Sequence, residues 1–157
     1  PADDYVSGRI DDGLQGFMPK GSESWAMLRN LLVDTDTIAD PVIRQDAMRI
    51  YSWQQIARFT SLRANAQAEA GKVAGPEVSL GKLASTRAMR AWRDLTLRAL
   101  GSQGMLNGPD GALDGRITQI GLSVSGMSIA GGTDEIQRNI VGEQVLGLPR
   151  EPRAPTN

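Results

Sequence analysis

The residues best placed to do chemistry form one short run, Gly131-Gly132-Thr133-Asp134-Glu135-Ile136-Gln137. Two glycines allow close approach of a ligand to the backbone. Thr133 is a natural helix cap, so the run reads as a turn feeding a helix N-terminus, with a hydroxyl and free amides facing whatever sits there. Two adjacent carboxylates argue against a simple phosphate cradle, because both would repel phosphate. Glu135 is better suited to accept hydrogen bonds from sugar hydroxyls or a base amino group. The competing reading is an ordinary turn and cap, and the run by itself leaves both open. Elsewhere the chemistry is bounded by absences. The chain has no Cys and no His. That excludes a thiol nucleophile, a thiolate metal site, a disulfide framework and a Ser-His-Asp triad within it, and no metal site is expected.

The elements that must position this run are helical. Asp40-Pro41 pairs a capping carboxylate with proline in the first turn, and no Pro or Gly follows until Gly71. Ile43, Ala47 and Ile50 form one apolar row of this long helix. Ile56, Phe59, Leu62, Ala66 and Ala70 form another, so it should pack on more than one side. A further helix is expected from about Glu77 to Leu100, with a stripe at Leu80, Ala84, Ala88, Ala91, Leu95 and Ala99. Lys82, Arg87, Arg90, Arg93 and Arg98 lie mostly off that stripe, and Lys82, Arg90 and Arg93 read as a solvated face. A shorter helix should run through Trp25, Leu28, Leu31 and Leu32, capped by Ser22 or Ser24. Residues 101–115 are glycine-rich and read as a long loop, followed by a weaker helix over Arg116–Val124. The last helix, starting at Thr133, takes its apolar face from Ile136, Ile140, Val141 and Val145, and stops at Gly147 and Pro149. Trp25, Trp53 and Trp92 are expected as core or interface anchors. There is no strand-period segment, so the expected fold is all-α, an antiparallel four-helix bundle. Residues 1–21 read as a flexible arm or linker, 22–151 as the helical domain and 152–157 as a tail.

A chain of 157 residues with 40% hydrophobic content can bury a core without covalent staples. A formal net charge of −1 gives no global attraction to nucleic acid or an anionic membrane. No run approaches the roughly 18 apolar residues of a spanning helix, and no signal-peptide pattern is visible, so a cytoplasmic protein is expected.

The longer run from Ile129 to Glu151, IAGGTDEIQRNIVGEQVLGLPRE, closely resembles the C-terminal signature of the acyl-CoA dehydrogenases. Ala99–Met105 (ALGSQGM) is similar to the family's Leu-Gly-Gly-x-Gly loop, and Asp40–Gln45 (DPVIRQ) to the start of its long bundle helix. The resemblance covers roughly residues 22–151. It implies the C-terminal four-helix bundle of an enzyme that oxidises an acyl-CoA thioester to the trans-2-enoyl-CoA using FAD. A carboxylate base takes the α proton while a hydride leaves the β carbon. Whole subunits of the family are more than twice as long, so this chain is expected to be a fragment with little activity alone.

Residue by residue, the resemblance assigns Thr133, Asp134 and Glu135 to FAD contact and Gly132 to the substrate thioester. It assigns Arg98, Ala99, Leu100, Gly101 and Ser102 to the FAD of a neighbouring subunit. The family usually has Gln where Arg98 stands; an Arg there suits the pyrophosphate as a charge-assisted contact, the competing reading being a solvated cation favoured near a helix C-terminus. It implies homologous subunits as partners, in a homo- or heterotetramer or a dimer, with electron-transfer flavoprotein as acceptor. Gly131 departs from the pattern, because the commonest family pattern has the catalytic Glu there. Glycine has no proton acceptor on its side chain. Glu23 is the only glutamate in residues 1–30 and reads as a first-turn helix carboxylate, so no catalytic base is assigned. An Arg-x-x-Phe-Gly stretch that often contacts the neighbouring FAD is absent, with Arg29 only a loose positional candidate that reads as surface. Gly131 also motivates an alternative, a non-catalytic assembly subunit of a mixed oligomer.

Overall fold

The computed structural model describes residues 22–72, 75 and 78–150, which contain helices and no β-strand. The expected arm at 1–21 and tail at 152–157 lie outside the described residues. Five α-helices follow in order: α1 (Ser22–Asp34), α2 (Pro41–Glu69), α3 (Val78–Leu100), α4 (Arg116–Met127) and the short α5 (Asp134–Ile140). The all-α bundle expected from the sequence is what forms, with α3 as its central member, packed against α1, α2, α4 and α5.

Local chemistry sets the helix ends. Asp40 caps α2: its Oδ1 accepts from the amide of Val42 at 2.7 Å, and Pro41 occupies the first turn, where no amide partner is needed. At the other end the Lys72 amide reaches the Gln67 carbonyl and the Gly71 amide the Ala68 carbonyl. That pair of bonds is a Schellman stop. Residues 101–115, expected as loop, contain two short 3₁₀ turns, Gly101–Met105 and Gly108–Asp110. α4 runs one turn further than expected, to Met127. Ser24 is not a cap. It sits inside the first turn of α1, buried, where its hydroxyl accepts from Gln54 at 3.0 Å.

The core is one cluster built from one face of each long helix. Leu28, Leu31 and Leu32 come from α1; Ile43, Ala47 and Ile50 from α2; Trp92, Leu95, Ala99 and Leu100 from α3; Ile117, Ile120 and Val124 from α4. Each fully buried aliphatic side chain contributes on the order of 1.5–3 kcal/mol. Trp92 has no exposed surface, and its indole N–H donates to the Ser24 carbonyl at 3.2 Å. Trp92 is thus the anchor that joins α3 to α1. Trp25 is tilted against Tyr51, with centroids 4.8 Å apart. Trp53 carries the Arg87 guanidinium over its ring at 4.6 Å, a cation–π contact.

Two expected faces turn out differently. The Ile43–Ala47–Ile50 row is buried, but the second row of α2 is not: Ile56, Phe59 and Leu62 are each more than half exposed. On α3 the inward positions are Ser79, Thr86, Trp92, Leu95, Thr96 and Ala99, while Leu80 and Ala84 of the expected stripe face outward. A helix with small residues nearly all round can turn several faces inward, and its neighbours decide which.

Candidate functional site

The Gly131–Gln137 run forms the turn between α4 and α5 that its residue types predict. Gly131 and Gly132 have φ of 66° and 92°, in the left-handed region that favours glycine. The Gly131 carbonyl accepts from the Gln137 side-chain amide at 2.8 Å. A Cβ on Gly132 would stand 2.9 Å from that same amide nitrogen, so the glycine is required for close approach as well as for its dihedral. Thr133 caps α5, its hydroxyl accepting from the Ile136 amide at 3.3 Å.

The inward face of α5 is polar, which overturns the expected apolar one. Ile136 and Val145 are exposed, and Asp134 and Gln137 are the buried residues of this helix. Beyond Ile140 the chain continues as a single π-helical turn, Val141–Val145, rather than as regular α-helix.

Asp134 has a side chain only 5% exposed, and α3 supplies two cations to it. Lys82 Nζ lies 2.7 Å from Oδ1 and Arg90 Nη2 lies 2.9 Å from Oδ2. Ser128, at the end of α4, closes the group: its hydroxyl accepts from Arg90, its carbonyl accepts from Lys82 at 3.4 Å, and the same carbonyl accepts from the Asp134 amide at 3.1 Å. The hydrogen bond from Lys82 is the largest cause holding the Asp134 carboxyl below its ordinary value, with Arg90 adding to it against the opposing effect of burial. Lys82 and Arg90 are therefore not a solvated face; Arg93 does pair locally, with Asp94 at 2.8 Å. The sequence carries a signal for this group: Lys82, Thr86 and Arg90 recur at steps of four, on one helical face.

The three acid and hydroxyl residues assigned to FAD contact thus split. Glu135 points outward with its side chain 76% exposed, 3.3 Å from Arg138. Its carboxyl is held below its ordinary value, first by its own backbone amide and then by Thr133. Thr133 is half-buried at the turn, and Asp134 is engaged inside the chain.

The second group sits at the far end of α3. Arg98 is 2.9 Å from Asp46, whose other oxygen meets Arg49 at 2.8 Å. This network edges a small cavity of about 190 Å³ between α2 and α3, walled by Ile50, Trp53 and Ala91. Gly101 and Ser102 are at the surface, whereas Ala99 and Leu100 turn their side chains into the core, leaving only backbone for a ligand. At 1.5 Å per residue, Arg98 stands roughly 12 Å from Arg90 and 24 Å from Lys82 along the axis. One chain therefore holds the two groups apart rather than bringing them together. Glu23 lies in the first turn of α1 with Arg116 3.6 Å away, and Arg29 is exposed beside Asn30.

Comparison with known proteins gives these positions a context. Residues 22–146 match the family model of the acyl-CoA dehydrogenase C-terminal domain. Acyl-CoA dehydrogenase IpdE1 of Mycobacterium tuberculosis is 36% identical over 118 residues, which is 71% of this chain and 28% of that protein. Acyl-CoA dehydrogenase FadE26 of the same organism is 28% identical over 135 residues, 82% of this chain and 34% of that protein. The chain thus spans about a third of the length of these relatives. Among solved structures, the Tcur3481-Tcur3483 steroid ACAD shares the fold with a TM-score of 0.74 at 20% identity, over 94% of this chain and 40% of that one. The ChsE4-ChsE5 complex from Mycobacterium tuberculosis gives 0.70 at 22% identity, over 82% and 36%. With the family model covering every helix of the bundle, the chain belongs to the acyl-CoA dehydrogenases and is a C-terminal helical domain of that family.

Proposed function

We propose that this bundle works within an FAD-dependent enzyme that oxidises an acyl-CoA thioester to the trans-2-enoyl-CoA. The observation that carries the reading is the family match from residue 22 to 146, which takes in the ordered Gly131–Gln137 turn. FAD, when bound, supplies the hydride acceptor. The residues present are compatible with it. Thr133 and Glu135 offer a hydroxyl and an exposed carboxylate at one end of α3, suited to the ribityl or ribose hydroxyls of the cofactor. Arg98, Gly101 and Ser102 offer a cation and open backbone at the other end, suited to the pyrophosphate of a second flavin. Asp134 is not in the set, because its carboxylate is already satisfied by Lys82 and Arg90. Gly132 lets the thioester approach the backbone closely.

Holding one half-site on the α5 turn docked against α3 and the other at the C-terminal end of α3 suits an assembly in which each flavin is shared between homologous subunits. The exposed Ile56, Phe59, Leu62 and Leu80 supply an apolar surface for such a partner. One of the similar solved structures is a complex of two proteins, ChsE4 and ChsE5, which is in keeping with a mixed assembly. Electron-transfer flavoprotein is the acceptor that the family resemblance suggests.

The test is to purify the protein from its native gene, together with any subunit that co-elutes. It should show flavin absorbance that bleaches on addition of an acyl-CoA. A colourless protein, or a flavin that no acyl-CoA reduces, would sink the reading.

A second reading has its own observation. Gly131 stands where the family's base commonly sits, is exposed, and has nothing within 4 Å of an added Cβ. Among the described residues no side chain fills that position, which suits a subunit contributing flavin contacts while a partner carries the base. Reconstitution with and without the co-eluting subunit separates the two: bleaching that needs the partner supports the second.

A further inference from the structure

The one strongly buried ionic group among the described residues lies at the Gly131–Glu135 turn, where it meets α3 and the end of α4. Asp134 is enclosed, Lys82 and Arg90 reach it from α3, and Ser128 bonds to both cations from the end of α4. Three segments that are remote in sequence thus meet at one carboxylate. Burying an ion pair is a poor way to gain stability, since desolvation offsets most of the attraction. It is a good way to fix geometry, because each oxygen has its own directed donor. Of the two residues flanking Asp134, Glu135 is exposed and Thr133 is half-buried at the turn, where its hydroxyl also caps α5. Thr133 and Glu135 are each one peptide from the fixed carboxylate, so their direction follows from its anchoring.

We propose that Asp134 is a positioning residue: clamped by Lys82 and Arg90, it sets the Gly131–Gly132 turn and aims Thr133 and Glu135 at the cofactor without touching the cofactor itself. This rests on the flavin reading above and refines it, moving Asp134 from ligand to support. The clamp carries one more cation than anion, and Arg90 is the less buried of the two, with its side chain 42% exposed. Arg90 can therefore be changed with Lys82–Asp134 left intact.

The experiment uses the intact protein with any co-eluting subunit, and compares wild type with D134N, R90Q and R90K. Two readouts are taken: amide hydrogen exchange over residues 131–137, and retention of FAD through gel filtration. D134N should speed exchange in the turn about tenfold or more while the amides of α4 stay protected, and should weaken FAD retention by a similar factor. R90Q should move both readouts the same way by less, and R90K should recover most of the loss. If D134N fails to fold, R90Q and R90K decide. Unchanged turn exchange in R90Q and D134N overturns the proposal, as does a rise spread evenly over the whole chain. A loosened turn with unchanged FAD retention also overturns it, since the clamp would then be structural only. A wild-type protein that holds no flavin would sink the flavin reading, while exchange would still report whether the clamp orders the turn.

Discussion

Lys82 and Asp134 are 52 residues apart in sequence, yet their charged atoms meet at 2.7 Å in a nearly enclosed site. This contact docks α5 onto α3, and with it the turn that carries the family's C-terminal signature. The helix it secures is only 7 residues long, with just two buried side chains, Asp134 and Gln137. So short a helix is marginal without tertiary contacts.

The docking should be acid-sensitive, with a definite sign. Lys82, Arg90 and the Ser128 hydroxyl face this site, and the two cations hold the Asp134 carboxyl below the ordinary 3.8. A lowered folded-state value means stability that is fully present above the unfolded value and lost as pH falls through the folded one. Chemical denaturation between pH 7 and pH 2 should therefore show a loss beginning near about pH 4 in wild type. D134N should start lower at neutral pH and lack that component. Parallel curves for the two proteins would contradict the assignment.

Trp92 is the costliest single position in the core. It is wholly buried and holds α1 to α3 through the Ser24 carbonyl. W92A should destabilise by about 3–5 kcal/mol. W92F keeps much of the volume and loses the indole bond to a carbonyl that α1 itself still pairs, so the lost bond should cost only about 0.5–1.5 kcal/mol. Urea denaturation monitored by circular dichroism checks both.

Gly131 and Gly132 should respond unequally to alanine. Both have positive φ, which costs a non-glycine residue on the order of 1–2 kcal/mol. Only Gly132 has a neighbour in the way, the Gln137 amide at 2.9 Å. Displacing that amide also breaks its bond to the Gly131 carbonyl. G132A should therefore lower stability more than G131A, by about 1 kcal/mol or more. Equal effects would mean that Gln137 moves aside freely.

The outer face of α2 should govern association rather than folding. Ile56, Phe59 and Leu62 lie on this face, 61%, 60% and 53% exposed. Replacing all three by serine should weaken subunit association in sedimentation while changing the unfolding of the dissociated chain by less than about 1 kcal/mol. An unchanged sedimentation coefficient would show that partners dock elsewhere.

Features that depend on near neighbours along the chain can be read from residue order. Asp40-Pro41 starts a helix because the cap and the proline act within one turn. Gly71 stops it through bonds that span five residues. Thr133 caps α5 for the same local reason, and the Ile43–Ala47–Ile50 row is buried as its spacing implies. The signature from Ile129 to Glu151 is likewise legible as a family resemblance without any fold in hand.

Which faces turn inward and which charges meet is settled by packing. α3 carries small and apolar residues on several sides, so periodicity does not say whether Leu80 or Thr86 is covered; the helices around it do. Local pattern likewise reads Lys82 and Arg90 as solvent-facing cations, because their counterion lies 52 and 44 residues away. The same distance hides the burial of Asp134, whose place at a helix start makes it look like a dipole-stabilised surface acid. Steps of four put Lys82, Thr86 and Arg90 on one helical face, but an ion pair is set by proximity in space, and only the packed bundle brings Asp134 to that face.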